Sequence, residues 1–503
     1  MVVLSGEVRT NYTFTEGRVA FVICLILVSA LFLRLGYITR SLGQDELYTA
    51  VHFVEVGSLW NTMTSIGAFN NHVGYSLMAR FSQALLGHSE WALRLPALLL
   101  GLLAICSVFV FARLILPPIW ALAATMLLSI SPPHVIWSVS ARGYSGLILC
   151  TIVSSYLYFK LLRHRNFLDG AVYVVVSVCG IYIHLYAAFV TLVQILLFLY
   201  LVKSPKATKQ FDLPVIEFSF HILSRCFFVI VSMSILLYVP LVGSFLHDLV
   251  GRGRRSFIPY FPWFVLQELT ASQSLPIILI FLAFSLIGYF YLRCSHPLET
   301  RYFTWLFIGP LLMMWMIRPF DLYTRFFIYW LPCYVLLFVA GAFSMWNAWF
   351  RSKRRAVIYL SRGVVVAASI AVLLNWSLNW NEYMAEEGYR EASRAVTAGL
   401  DDSTAICAIG GARSVWKYYI HENIAMPLTL SDLRRLGFTH REVRCVYYEA
   451  SWQSAEQTEI AQFLSRNGTF SKVGGVTFFV YREPGKPTSS NPSSAPTLTK
   501  SSS

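Results

Sequence analysis

Two adjacent carboxylates, Asp45 and Glu46 in QDELYTA, stand just past the first hydrophobic run of the chain. Acids at the mouth of a membrane helix are costly to place and so call for a reason. A carboxylate partly buried beside apolar surface is a stronger base. That makes Asp45 a candidate to take a proton from a reacting hydroxyl. Its structural alternative is a cap on the helix beginning at Glu46, and the two roles are compatible. Acids are common at helix starts, so Glu46 is the weaker candidate, a supporting acid that touches substrate or orients a partner. A second set of residues suits an anion. Arg142 in ARGY, Arg252, Arg254 and Arg255 in GRGRR, and Arg318 and Arg325 in RPFDLYTR carry planar forks that hold phosphate oxygens two at a time. Their alternative is anionic lipid head groups, or pairing with Asp321. Tyr144 and His72 could hydrogen-bond a phosphate or hydroxyl, or be an interfacial aromatic and a satisfied loop histidine.

The elements that must position these residues are membrane spans. The 503 residues are 56% hydrophobic and only 13% charged, well below the roughly 25% charge of a soluble protein. Apolar runs of about 20 residues recur through the first three quarters, each long enough to cross a bilayer. Runs near 19–39, 93–115, 119–131, 143–162, 170–183, 185–202, 222–245, 274–293, 301–317, 326–349 and 363–378 predict about eleven spans. The net charge of +14 does not imply nucleic acid. No lysine precedes Lys160, and later clusters (Lys203, Lys206, Lys209; Lys353, Arg354, Arg355) fall on short alternate loops, as the positive-inside rule predicts for cytoplasmic ones. With a cytoplasmic N-terminus, Asp45, Glu46 and all the arginines of the second set fall on the opposite side. No cleavable signal is evident, so the first run reads as an uncleaved span.

The first outer loop, about 40–92, mixes polar and aromatic residues in short helical pieces. In ELYTAVHFVEV, Leu47, Val51 and Val54 have helical spacing, so this piece could lie along the membrane interface. The aromatic loop SFIPYFPWF reads as an interfacial belt. From about 379 to 484 the composition turns soluble. GYREASRAVTAGL, SVWKYYIHE and EQTEIAQFLSRN look helical; TAICAIGG is an apolar run, and VRCVYYEA and VTFFVYRE read as strands. A Pro- and Ser-rich tail, 485–503, follows with the composition of a disordered segment. The fold class is therefore mainly α: a polytopic domain over 1–378 and a small α/β extracytoplasmic domain. Of the nine cysteines only Cys407 and Cys445 lie in the polar region, where they could bridge, although their spacing carries no disulfide signature. His134, His184 and His247 lack metal-ligand spacing, and AIGGAR lacks the glycine and lysine of a phosphate loop.

The order DELYTA, NNHVGYSLMARFSQALLG, SEWALRLPALLLGLL, SPPHVIWSVSARGYS resembles the membrane-embedded glycosyltransferases of the GT-C superfamily. It is most similar to the branch holding protein O-mannosyltransferase-like enzymes, the aminoarabinose transferase of lipid A and rhizobial galacturonosyltransferases. The specific part spans about 40–165, with a late TRFFIYWLP segment. The resemblance implies that an aspartate of the first outer loop, here Asp45, is the base and that the donor is a polyprenyl-phosphate sugar. One departure stands out: where relatives commonly carry His-Pro-Pro, this chain reads Asn71-His72-Val73-Gly74, keeping the histidine without the prolines.

The combined expectation is an integral glycosyltransferase of the cytoplasmic membrane. It would move a sugar, with inversion, from an undecaprenyl-phosphate-type donor to a glycolipid, polysaccharide or protein outside. Asp45 would be the base, and Arg142, with Arg325 or the GRGRR cluster, would hold the leaving phosphate. No cofactor is required, and a divalent cation beside Asp45 remains an open alternative. The competing classes are a flippase for lipid-linked saccharides and a non-catalytic assembly protein. Transporters place charges mid-membrane in broken helices and often show repeated halves, whereas here acids and arginines gather in outer loops.

Overall fold

The computed structural model describes residues 16–243 except 66–69, 165, 205–210 and 212–215, then 246, 260–317, 323–348, and 355–482 except 411, 412, 422, 449–454 and 474. Arg252, Arg254, Arg255, Arg318 and Asp321 lie outside the described residues.

Helices dominate, and a small sheet closes the chain. Each expected span has a helix near its place. By length and composition seven described helices can cross a membrane, among them Glu16–Ile38, Glu90–Ala112 and Tyr144–Arg163. An eighth is the pair Pro118–Ile130 and Pro132–Ser138 taken together, bent by 60°. Phe167–Ile183 and Ala187–Lys203 are apolar but shorter, so a count of eleven spans is not confirmed. The protein is an integral membrane protein.

Local sequence explains the elements that carry the site. Ser89 caps Glu90–Ala112 by accepting from the Ala92 N–H at 3.3 Å, which fixes where that helix starts. Pro132 and Pro133 cannot continue the preceding helix but suit the first turn of a new one, and this produces the 60° bend. The short second helix ends at Ser138 and delivers Ala141-Arg142-Gly143 to the site. At Gly143 a β-carbon would lie 2.6 Å from the Ile183 carbonyl oxygen and 3.0 Å from His72 Nδ1. Only glycine admits that approach. Deeper in the membrane part, β-carbons on Gly288 and Gly341 would each lie 1.9 Å from a carbonyl of the facing helix, the close small-residue packing typical of membrane helices.

The C-terminal domain holds a five-stranded sheet: β1 (Thr404–Gly410), β2 (Ile424–Ala425), β3 (Glu442–Tyr448), β4 (Thr469–Val473) and β5 (Val476–Tyr481). Its order is β2-β1-β3-β5-β4, with β1 parallel to β2 and β3, and β5 antiparallel to β3 and β4. Helices Leu430–Thr439 and Ala455–Asn467 provide the crossovers, and Cys407 of β1 is disulfide-bonded to its register partner Cys445 of β3.

The loop after the first span folds as helices Gln44–Thr49, Leu59–Thr64 and Val73–Leu86, the first widening into a π-helical turn at Ala50–Val54. Leu47 and Val54 do not lie along a membrane interface. They share one buried cluster with Tyr389, Val415, Trp416, Val446 and Val476 of the outer domain, and Val51 packs against it. The apolar face is spent on the chain's own domain. Trp416 is fully buried there, and Trp416→Ala should cost about 3–5 kcal/mol. Limited proteolysis should then cut residues 389–482 faster while the membrane helices stay protected.

Candidate active site

Glu46 is buried and fully used. Oε1 accepts from Arg94 Nε (2.8 Å) and the Ala141 N–H (2.6 Å); Oε2 accepts from Arg94 Nη2 (2.6 Å) and the Gly43 N–H (2.9 Å). Arg94, in the first turn of Glu90–Ala112, also donates to the carbonyls of Ile38 (3.2 Å), Arg40 (2.6 Å) and Ser41 (3.0 Å). One ion pair thus ties the end of the first span, the start of Gln44–Thr49, the next span and the ARGY loop together. Glu46 orients its neighbours.

Asp45, one residue earlier, is a third exposed and faces a cavity of about 530 Å³. Its Oδ2 lies 2.9 Å from Arg325 Nη1. Arg325 opens the 3₁₀ turn Thr324–Trp330, and its guanidinium lies over the Tyr323 ring at 4.5 Å. Below it Glu268 accepts from Thr324 Oγ1 at 3.3 Å; burial raises the Glu268 carboxyl above its ordinary range, and Arg325 opposes this. Trp137, Arg142, Tyr383, Glu386, Glu387 and Tyr448 complete much of the cavity wall.

Arg142 is almost wholly buried and its donors are largely committed to the outer loop. Nη1 reaches Thr49 Oγ1 (2.9 Å) and the Asn70 carbonyl (3.2 Å), Nη2 reaches Asn70 Oδ1, and Nε is buried with no acceptor among the described residues. His72 holds the adjacent loop through Nδ1, which accepts from the Gly143 N–H at 2.8 Å. Burial, reinforced by Arg142, His184 and Arg325, keeps its imidazole neutral well below the usual histidine range. The ring proton then sits on Nε2, 3.5 Å from Arg142 Nη2. Tyr144 packs edge-on against His72, 5.1 Å between ring centroids. The loop that lacks the family's prolines is shaped instead by this histidine bond and by Asn71, whose Nδ2 donates to the Thr62 carbonyl at 2.9 Å.

The structure therefore gathers Asp45, Glu46, Arg142, His72, Tyr144 and Arg325 at one place. Sequence reasoning quoted SEWALRLP without giving Arg94 a role; an arginine at the start of an apolar run, needing an acid, was the available signal. It also missed Glu386 and Glu387, because nothing local ties the end of the last span to residue 45. Among the described residues, no group of three or more His, Cys, Asp or Glu is placed to hold a metal ion.

Solved structures share this architecture over nearly the whole chain. ArnT from Cupriavidus metallidurans in the apo state is 12% identical with a TM-score of 0.53, covering 92% of this chain and 98% of that one. The same protein bound to undecaprenyl phosphate gives 12% and 0.52, covering 93% and 98%. The Archaeoglobus fulgidus oligosaccharyltransferase AglB, with an inhibitory peptide and a dolichol-phosphate, gives 9% and 0.53, covering 93% and 75%. The chain is a membrane protein of the GT-C fold. More particularly, residues 70–236 match the family model of dolichyl-phosphate-mannose-protein mannosyltransferases, so the resemblance seen in the motif order is borne out. No curated protein matches the chain.

Breaking the buried pair should be severe. Arg94→Met leaves Glu46 uncompensated and should cost about 3–5 kcal/mol, read as a lowered thermal midpoint of the detergent-solubilised protein. Exposed Arg18→Met should shift it little.

Proposed function

We propose that this protein is a glycosyltransferase that moves a sugar from a polyprenyl-phosphate donor to an acceptor on the outer side of the cytoplasmic membrane. The observation that carries the reading is the Asp45–Arg325 pair at 2.9 Å, opening on a cavity between the membrane part and the outer domain. ArnT's structure with undecaprenyl phosphate and AglB's with a dolichol-phosphate support a lipid-phosphate donor on this fold. The disulfide of the outer domain fits an oxidising compartment, in keeping with the orientation inferred from lysine placement.

Asp45 takes the proton of the acceptor hydroxyl as that oxygen bonds to the anomeric carbon. The bond from that carbon to the phosphate oxygen breaks, and its electron pair leaves on the polyprenyl phosphate. Inversion follows from entry opposite the leaving group. Arg325 stands where it can neutralise both charges in turn: Asp45 before transfer and the freed phosphate as its charge develops. Arg142 and His72 fix the loop behind Asp45, with Tyr144 packed beside them. The polyprenyl tail lies along the apolar membrane helices.

Asp45→Asn keeps the shape and removes the base, so transfer should fall about 10²–10⁴-fold, measured with lipid-linked sugar in membranes. Transfer at the wild-type rate would sink the reading, and lipid movement without transfer would favour a flippase. Arg325→Ala should weaken binding of undecaprenyl phosphate as well as lower the rate.

A further inference from the structure

The cavity has two unlike walls. The membrane side presents Arg325 and Arg142; the segment after the last span presents Glu386, Glu387 and Tyr383, joined by Tyr448 from β3. That segment is strapped to the end of the first span. Arg40 pairs with Glu386 at 3.2 Å and donates to the Met384 carbonyl, while Trp380 Nε1 donates to the Tyr37 hydroxyl. Glu387 is held from both sides. Its Oε2 accepts from the Gln44 N–H at 2.8 Å, and its backbone carbonyl accepts from the Gly475 N–H at 3.1 Å. A β-carbon at residue 43 would lie 3.3 Å from Glu387 Oε1, so Gly43 leaves that carboxyl its room.

We propose that Glu387 reads the acceptor, and that the acceptor is an uncharged saccharide hydroxyl rather than a phosphate. This rests on the glycosyltransferase reading above. An in-line displacement puts nucleophile and leaving group on opposite faces of the anomeric carbon. The leaving phosphate belongs to the arginine wall, so the acceptor enters along the Glu387 wall. A phosphate dianion there would meet Asp45, Glu386 (shared with Arg40) and the ionised fraction of Glu387; a hydroxyl would not be repelled. The groups facing Glu387 are Asp45, Glu46, Arg325, Tyr389 and Tyr448. Burial, with the two carboxylates Asp45 and Glu46 and against the pull of the Gln44 N–H and Arg325, pushes Glu387 up to about 7. Near neutral pH its carboxyl therefore exists in a protonated form that both donates and accepts, as recognition of a hydroxyl requires. Beside it the fully buried Tyr389 hydroxyl has no hydrogen-bond partner among the described residues, and the carboxylates of Glu387 and Asp45 help to keep it protonated.

The test uses the full-length protein in membranes with their own lipid-linked donor and acceptor. The product should resist mild acid, as a glycoside does; an acid-labile glycosyl phosphate overturns the proposal. Deprotonation of Glu387 removes its donor, so wild-type transfer should fall as pH rises through 7, by up to about tenfold per unit. Glu387→Gln stays uncharged and should keep its rate at pH 8 within about threefold of that at pH 6.5, whereas Glu387→Ala should lose about tenfold or more at every pH. Both variants should bind undecaprenyl phosphate like wild type, read by tryptophan fluorescence. A wild-type pH profile in Glu387→Gln, or lost undecaprenyl phosphate binding in that variant, overturns the role of Glu387. Transfer that survives Asp45→Asn would instead strike the glycosyltransferase reading itself.

Discussion

The buried ion pair of Glu46 with Arg94 is the contact on which the rest of the site depends. In a low-dielectric interior such a pair holds only if its geometry is good and its remaining donors and acceptors are used. Here both carboxylate oxygens each accept twice, and the arginine gathers four carbonyls at and just past the end of the first span. Four segments far apart in sequence are thereby fixed to one another. Asp45 inherits its position from this knot: it is the preceding residue on the same helical turn, and it looks outward because Glu46 looks inward.

Around that knot the charges sort themselves by task. Committed charges are buried and saturated: Glu46, Arg94 and most of Arg142. Working charges are left partly exposed and paired loosely enough to be shared, as Arg325 is with Asp45 at 28% and 34% side-chain exposure. Glu387 stands between the two classes, anchored through one oxygen and free at the other. Its carboxyl comes from the connector to the outer domain, so that domain is part of the cavity wall.

Much of this was legible in the sequence because membrane physics writes in long words. Apolar runs gave the helices, and the ARGY and DELYTA motifs pointed at residues that do meet. The short strands β2 and β4 and the helix Leu430–Thr439 were not legible, since brief polar segments carry little periodicity. The span count is not confirmed, because several helices that pack in the bundle, such as Phe167–Ile183 and Ala187–Lys203, are short. The destination of Leu47 and Val54 was also hidden. An apolar helical face says that it will be covered and leaves open by what. Glu387 was invisible for the same reason, because its partner is more than three hundred residues away and only the fold brings the two together.

The shared core of the first loop and the outer domain also sets an order of assembly. Leu47 and Val54 are made early, but Trp416, Val446 and Val476, which cover them, are made after every span. At synthesis rates of about 5–20 residues per second, the apolar face waits on the order of tens of seconds for its cover. During that interval the loop is a site for chaperones or premature aggregation. A chain stopped short of the last strand would reach the membrane with its spans complete and its first loop unsupported, which makes the site self-checking for full length.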